Sequence, residues 1–336
     1  MTRLRRFLPL AIVVTTVPFL VPATAAASTY AIAQLAIGST LTIAATPPAI
    51  TVGDAVSIDG TLAFDDASSA GGQTVSITRT DASGDQALGD VVTDVDGAYQ
   101  LSDQPTVGGD AEYTATFAGA GDYQPVSASD VVSVAKRASS VSVKVSDRVV
   151  TFGHAVKVTG HLGGGTDARV LSIYAKPDGG SQGLLKRAKV DAHGNLMVSF
   201  TPGRDTTFIA RFDGDPGHRS SQDSAVTRVR VIVTAKLVNY VSTSGAYRIY
   251  RAGTRARCET HVAPNHQGFG VRFTLQVHKS AGWRTVDTGT FKLNSASDVV
   301  ALVAGSTRVN WRVRAQLPTH ADHIGDTSPW MYLRFA

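Results

Sequence analysis

Cysteine is nearly missing from these 336 residues: Cys258 is the only one, so no intrachain disulfide can hold the fold together. After the first stretch of chain, no apolar run approaches the about 20 residues that a membrane-spanning helix needs. Helical periodicity is missing too. In its place are short alternating runs rich in Val, Thr, Ser, Ile, Phe and Tyr, broken by Gly and Pro, which is the pattern of an all-β chain. Bases are scarce in one region: residues 28–135 carry 14 acids against a single base, Arg79. The balance then reverses, to net +5 over residues 139–233 and +8 over residues 234–336. A net charge of +5 therefore hides a strongly dipolar chain, which bears on partners rather than on fold.

The opening "MTRLRRFLPLAIVVTTVPFLVPATAAAS" has a basic start at Arg3, Arg5 and Arg6, an apolar middle, and small residues at Ala23, Ala25 and Ala27. This is the pattern of a secretory signal peptide, expected over residues 1–27, and it predicts a secreted or extracellular protein, with cell-wall association left open. The 309 residues that follow are too many for most single cores and suit three domains of about 100 residues each.

Repeats support that division. "ITVGDAVSIDGTL" from Ile50 returns as "VTFGHAVKVTGHL" from Val150, matching at Thr51/Thr151, Gly53/Gly153, Ala55/Ala155, Val56/Val156, Gly60/Gly160 and Leu62/Leu162. Val56, Ile58 and Leu62 alternate with Ser57, Asp59 and Thr61, so one strand face should pack inward and the other meet water. A second phrase, "YTATFAGAGDY" from Tyr113, returns as "FIARFDGDPGH" from Phe208, and Asp96-Gly97 and His193-Gly194 read as hairpin turns. A diverged third copy keeps Gly253, then offers "NWRVRAQLP" as its later strand and "SPWMYLRF" as a closing edge strand. The expected modules are 37–137 (acidic), 138–233, and 234–336 (basic). About seven short strands per module imply tandem immunoglobulin-like β-sandwiches.

"GDAVSIDGTL" followed by "YTATFAGAGDYQPVSAS" resembles the bacterial Ig-like domain repeats of secreted and cell-surface proteins, those of actinobacteria in particular. "GVRFTLQVHKSAGWRTVDTGTF" resembles a C-terminal module of such proteins. The resemblance implies fold and location, and it leaves function open, because these domains serve as stalks, adhesive modules and enzyme appendages alike. The paired cysteines and buried tryptophan of antibody-type domains are not present.

No catalytic set emerges. "GGSQG" matches a nucleophile pattern around Ser181, but that chemistry needs a strand-to-helix elbow. "GGGT" at Gly163 lacks the lysine and helix of a phosphate loop. Cys258 has the parity of an inward strand residue. "THADHIGD" places His320, Asp322, His323 and Asp326 close together, a set that a loop could turn onto a metal. Loops at the sandwich poles would gather Asp65 and Asp66 with Asp122, and Asp167 with Asp213 and Asp215, as hard oxygen ligands for calcium; no other cofactor is expected. In the third module Val271, Phe273, Leu275 and Val277 have core parity, as do Trp311, Val313 and Ala315. Arg272, Arg312 and Arg314 then share an outward face, with Arg284 adjoining. Arginine forks there suit phosphate and carboxylate oxygens.

The expected function is a non-enzymatic structural or adhesive element, met by an anionic cell-wall polymer, a polysaccharide or another surface protein, and not by nucleic acid. Binding of a polysaccharide is the alternative, with Trp283 as the stacking platform; an extracellular enzyme is the remoter one.

Overall fold

The computed structural model describes residues 36–164 and 169–336, and every regular element among them is a β-strand. The expected signal segment and Asp167 lie outside the described residues.

The architecture is one β-sandwich written three times. In the first copy Val56–Phe64 pairs with Ser39–Leu41, Ala44–Thr46 and Ala98–Asp103 to form one sheet. The facing sheet runs in the order Ala49–Thr51, Val126–Ala135, Gly109–Phe117, Thr74–Asp81, Gly84–Val92. The second copy repeats this plan, with Val141–Val145, Val156–Leu162 and Asn195–Phe200 facing a five-stranded sheet that ends on Gly183–Lys189. In the third, Ile232–Val238, Ala256–Ala263 and Asp298–Val303 face a larger sheet ordered Ser242–Ser244, Tyr247–Tyr250, Met331–Phe335, Asn310–Leu317, Gly270–Lys279, Gly282–Lys292. The chain thus has the fold of tandem immunoglobulin-like β-sandwiches.

Strand alternation is what builds the cores. Val56, Ile58 and Leu62 are at most 1% exposed, and Tyr113, Ala115, Phe117 and their counterparts Phe208, Ala210 and Phe212 are buried as well. Buried residues form three clusters, lying within 41–134, 143–229 and 231–335. Cys258 is fully buried in the third, and burial pushes its thiol up to about 11, so it behaves as a small core residue. Gly53, Gly153 and Gly253 have φ of 81°, 85° and 76°, a left-handed conformation that explains why glycine recurs there.

Two expectations need correcting. Asp96-Gly97 and His193-Gly194 do not close hairpins, because the strands on either side of each belong to opposite sheets. The turns are anchored by a residue slightly upstream: Asp94 Oδ1 accepts from the backbone N–H of Asp96 and Ala98, both at 2.9 Å. Asp191 and Asn294 do the same in the other two copies. Likewise Met331–Phe335 is no edge strand: it lies between Asn310–Leu317, antiparallel, and Tyr247–Tyr250, parallel.

The copies are tied together by backbone bonds. Gly108 and Arg137 donate to the carbonyls of Pro216 and Gly217, each at 2.9 Å, and the Arg137 side chain donates to the Val52 carbonyl at 2.6 Å. The linker around Ala135–Ser140 is therefore docked on the loop 213–220 of the second copy. At the next joint the loop 318–325 plays the same part, with Asp205 N–H donating to Asp322 O at 2.8 Å and Val231 N–H to Ile324 O at 3.0 Å.

Candidate functional site

The outer face of the larger sheet in the third copy carries the most unusual side-chain arrangement. Residues directly opposite in a β-ladder project to the same face. Thr274 opposes Arg314 and Gln276 opposes Arg312, while Arg272 opposes Gln316 one step further along. The same register continues sideways, with Arg312 opposite Tyr332, and Tyr332 beside Tyr247. On the other flank His278 opposes Trp283. The register therefore puts Arg272, Arg312 and Arg314 on one face, as the alternation indicates.

Arg284 is a correction. It opposes Val277, which is buried in the core, so it projects to the other side of the sheet and is exposed only because its strand is at the edge. The pairing of Lys279 with Gly282 at the hairpin turn sets this register, and a bulge opposite Leu275 and Gln276 puts the rest of the strand out of step with it. Trp283, not Arg284, faces the arginines.

Arginines and aromatic rings alternate across this face. The guanidinium of Arg312 lies between two indoles, 4.4 Å from the Trp283 ring and 4.2 Å from Trp330. Arg314 stacks on Trp330 at 4.4 Å, and Arg334 on Tyr247 at 4.0 Å. Tyr332 links the halves, edge-on to both Trp283 and Tyr247. Gln276 accepts from Arg312 Nε at 2.8 Å, and Asn310 from Arg334 Nε at 2.6 Å. Cation–π stacking of this kind contributes about 0.5–1 kcal/mol per exposed pair and fixes guanidinium orientation.

Two properties follow. The outward strand positions here hold Arg, Thr, Gln, His, Asn, Trp and Tyr but no carboxylate. Among the described residues no hydrogen bond or ion pair uses the Nη donors of Arg312 or Arg314. Arg312 has its Nε–H on Gln276 and its guanidinium against two rings, and Arg314 is held by the Trp330 ring alone, so the Nη groups of both are donors left for a ligand. Oriented arginine edges beside indole rings can meet anionic oxygens and stack on sugar rings.

Among the described residues, the carboxylates expected to hold calcium form no metal-competent group. Tyr123 donates to Asp66 at 3.5 Å, so the loops holding Asp66 and Asp122 do share a pole. Yet Asp65, Asp66 and Asp122 do not converge on a common point. Asp66 caps its own turn through the Ser68 N–H, and its hydrogen bonds from Ser68 hold its carboxyl below the usual range. Asp213 pairs with Arg211 at 2.6 Å, and Asp215 accepts from Gly217 N–H and meets His218, both at 2.9 Å. Asp215 braces the loop that docks on the first copy, while Asp213 forms an exposed pair with Arg211.

Ser181 sits exposed in a hairpin between Val170–Pro177 and Gly183–Lys189, with no elbow. The "THADHIGD" loop does gather His320, Asp322 and His323, and a residue no motif announced, His266, joins them. Asp326 goes elsewhere, accepting from Val233 N–H at 3.2 Å. This is the one group of metal-competent side chains among the described residues.

No family model and no curated protein matches the chain. Among solved structures it is similar to a tetra-tandem repeat from the extending region of a large adhesion protein. The TM-score is 0.51 at 17% identity, over 89% of this chain and 73% of that one. That likeness supports the fold. Weaker ones include an ICAM-5 D1–D4 ectodomain fragment (TM-score 0.35, 12% identity, 88% of this chain and 77% of that one). The Yersinia pseudotuberculosis adhesin InvE is another (TM-score 0.34, 18% identity, 56% of this chain and 58% of that one).

Proposed function

We propose that the chain is a secreted, non-enzymatic structural or adhesive element of the cell surface, and that its third module captures anionic polymer on the arginine–aromatic face. The alternating stack of Arg312 and Arg314 with Trp283 and Trp330 carries this reading, because it orders guanidinium donors on a sheet face without carboxylates. The leader-like opening supports export, and the likeness to a repeat in the extending region of an adhesion protein supports use as a spacer or adhesive rod. Paired arginine and indole surfaces favour a polymer that is both charged and sugar-based, which unites the wall-polymer and polysaccharide readings.

The test is retention of the full chain on purified anionic wall polymer. Binding should fall as salt rises, since exposed charges are screened over about 8 Å at physiological ionic strength. The variant with Arg272→Ala, Arg312→Ala and Arg314→Ala should stay folded and lose binding, whereas Arg284→Ala should keep it. Undiminished binding by the triple variant would remove this face from the account.

A further inference from the structure

We infer that His266, His320, Asp322 and His323 form a structural site for a zinc-type divalent ion, and that the ion stiffens the joint between the second and third modules. This inference is independent of the arginine face, which uses none of these residues.

The imidazole protons point away from the centre of the cluster. His266 Nδ1 lies 2.7 Å from the Pro264 carbonyl, and His320 Nδ1 lies 3.2 Å from that of Pro318. His323 Nε2 lies 2.9 Å from the carbonyl of Gly203. A carbonyl only accepts, so each of these nitrogens carries the N–H. In the neutral ring the opposite nitrogen then presents a lone pair. Those opposite nitrogens are Nε2 of His266, Nε2 of His320 and Nδ1 of His323, and they face one another and a carboxylate. An outer carbonyl that fixes the tautomer is the usual support of a metal-bound histidine.

The two Nε2 atoms are 3.0 Å apart, and Asp322 Oδ1 is 3.3 Å from His320 Nε2 and 3.2 Å from His323 Nδ1. All four ligand atoms lie within 4.8 Å of one another. A tetrahedral zinc ion with bonds of about 2.0–2.1 Å separates its ligand atoms by about 3.3 Å. Without a cation, two lone pairs at hydrogen-bond distance repel each other.

One buried nitrogen of the cluster has no hydrogen-bond partner. The His323 side chain is only 4% exposed, and its Nδ1 makes no aligned hydrogen bond, despite its nearness to Asp322. Leaving such an atom unsatisfied costs about 1–3 kcal/mol, and a metal bond removes that cost. His266 is equally buried, and the ring of Phe269 packs against both His266 and His320.

Three imidazoles and one carboxylate favour zinc or its transition-metal neighbours over calcium, which takes six to eight oxygens. Four protein ligands complete a tetrahedron and leave no open position, so the site is structural rather than catalytic. Its place gives it a role. His323 reaches Gly203 of the second module through the nitrogen opposite the metal, and Asp322 accepts from Asp205 N–H through its own carbonyl. An ion that fixes the loop 318–325 also fixes what that loop grips.

The experiment uses the full chain stripped with a chelator and then titrated with zinc alone. One equivalent should bind and raise the melting temperature, while millimolar calcium should do neither. Cobalt in place of zinc should give the strong visible absorption of a tetrahedral nitrogen–oxygen site. His320→Ala should weaken zinc binding by more than about 100-fold. His218→Ala, in the corresponding loop at the other joint, should bind zinc as the parent does. Absence of stoichiometric zinc binding by the parent chain, or equal affinity in His320→Ala, would overturn the inference. The cobalt spectrum of the parent decides the matter even if a variant misfolds, since octahedral cobalt absorbs only weakly and would contradict the site.

Discussion

In the first module a lone arginine sits inside, whereas in the third a row of arginines stands on the surface, and the two sandwiches otherwise follow one plan. Arg79 is 3% exposed and lies 2.9 Å from Asp81 and 2.6 Å from Asp103, with Gln86 at 2.6 Å. Tyr113 donates to the same Asp103 at 3.0 Å, and burial pushes its phenol well above the usual range. The remaining acids of that module are largely exposed. In the third module the strand equivalent to Gly109–Phe117 carries Arg312 and Arg314 outward, where indoles rather than carboxylates hold them. A guanidinium enclosed by carboxylates is a structural tie. One held by ring faces keeps its charge for a partner. Charge deployment, not fold, therefore separates the two modules.

The largest expected effect tests the buried side of that contrast. Arg79→Ala strands Asp81 and Asp103 without their countercharge, and breaking a buried pair in this way costs about 3–5 kcal/mol. Chemical denaturation of the first module should show it. Acid should expose the same dependence. Burial pushes the Asp81 carboxyl up, but hydrogen bonds from Ser83 and the charge of Arg79 outweigh this and hold it below 3.8. A carboxyl lowered on folding adds stability that is full above its unfolded value and is lost as pH falls through the folded one. The first module should therefore weaken below about pH 4.

Arg312→Ala should have a smaller effect, about 1–2 kcal/mol of third-module stability, from the loss of two stacked contacts. Its larger consequence should be for binding. If Arg312→Ala instead unfolded the third module as Arg79→Ala does the first, the distinction between tie and donor would collapse. The smallest expected effect is none at all: Asp213→Ala and Asp215→Ala should leave the melting curve insensitive to calcium, because protein groups already occupy both carboxylates.

The fold could be read from the sequence because its two signals are local and repeated. Period-two alternation fixes which face of Val56–Phe64 or Thr206–Phe212 is buried, and glycines with positive φ mark the same corner three times. The site was half legible. Alternation placed Arg272, Arg312 and Arg314 together, but Trp330, Tyr332 and Arg334 were missed. They too alternate, with Met331, Leu333 and Phe335, and would have been found had that strand been set inside the sheet. Arg284 projects to the other side because the pairing of Lys279 with Gly282 at the hairpin turn sets it opposite Val277, and the bulge at Val286 comes only after it. His266 left no trace at all, since it meets His320 across 54 residues of chain through loop geometry. The joints were hidden for the same reason: His323 and Gly203 are 120 residues apart.

The central claim is that capture of anionic polymer belongs to the arginine–aromatic face and not to the sandwich framework shared by all three modules. Its most direct test sets residues 231–336, which keep the whole strand Ile232–Val238 and the buried Val231, beside residues 37–137, each produced alone, on the same anionic wall polymer at low and at physiological salt. The account predicts that 231–336 binds, that salt weakens it, and that 37–137 does not bind under either condition. Equal retention of the two, or retention of neither while both are folded, would contradict it.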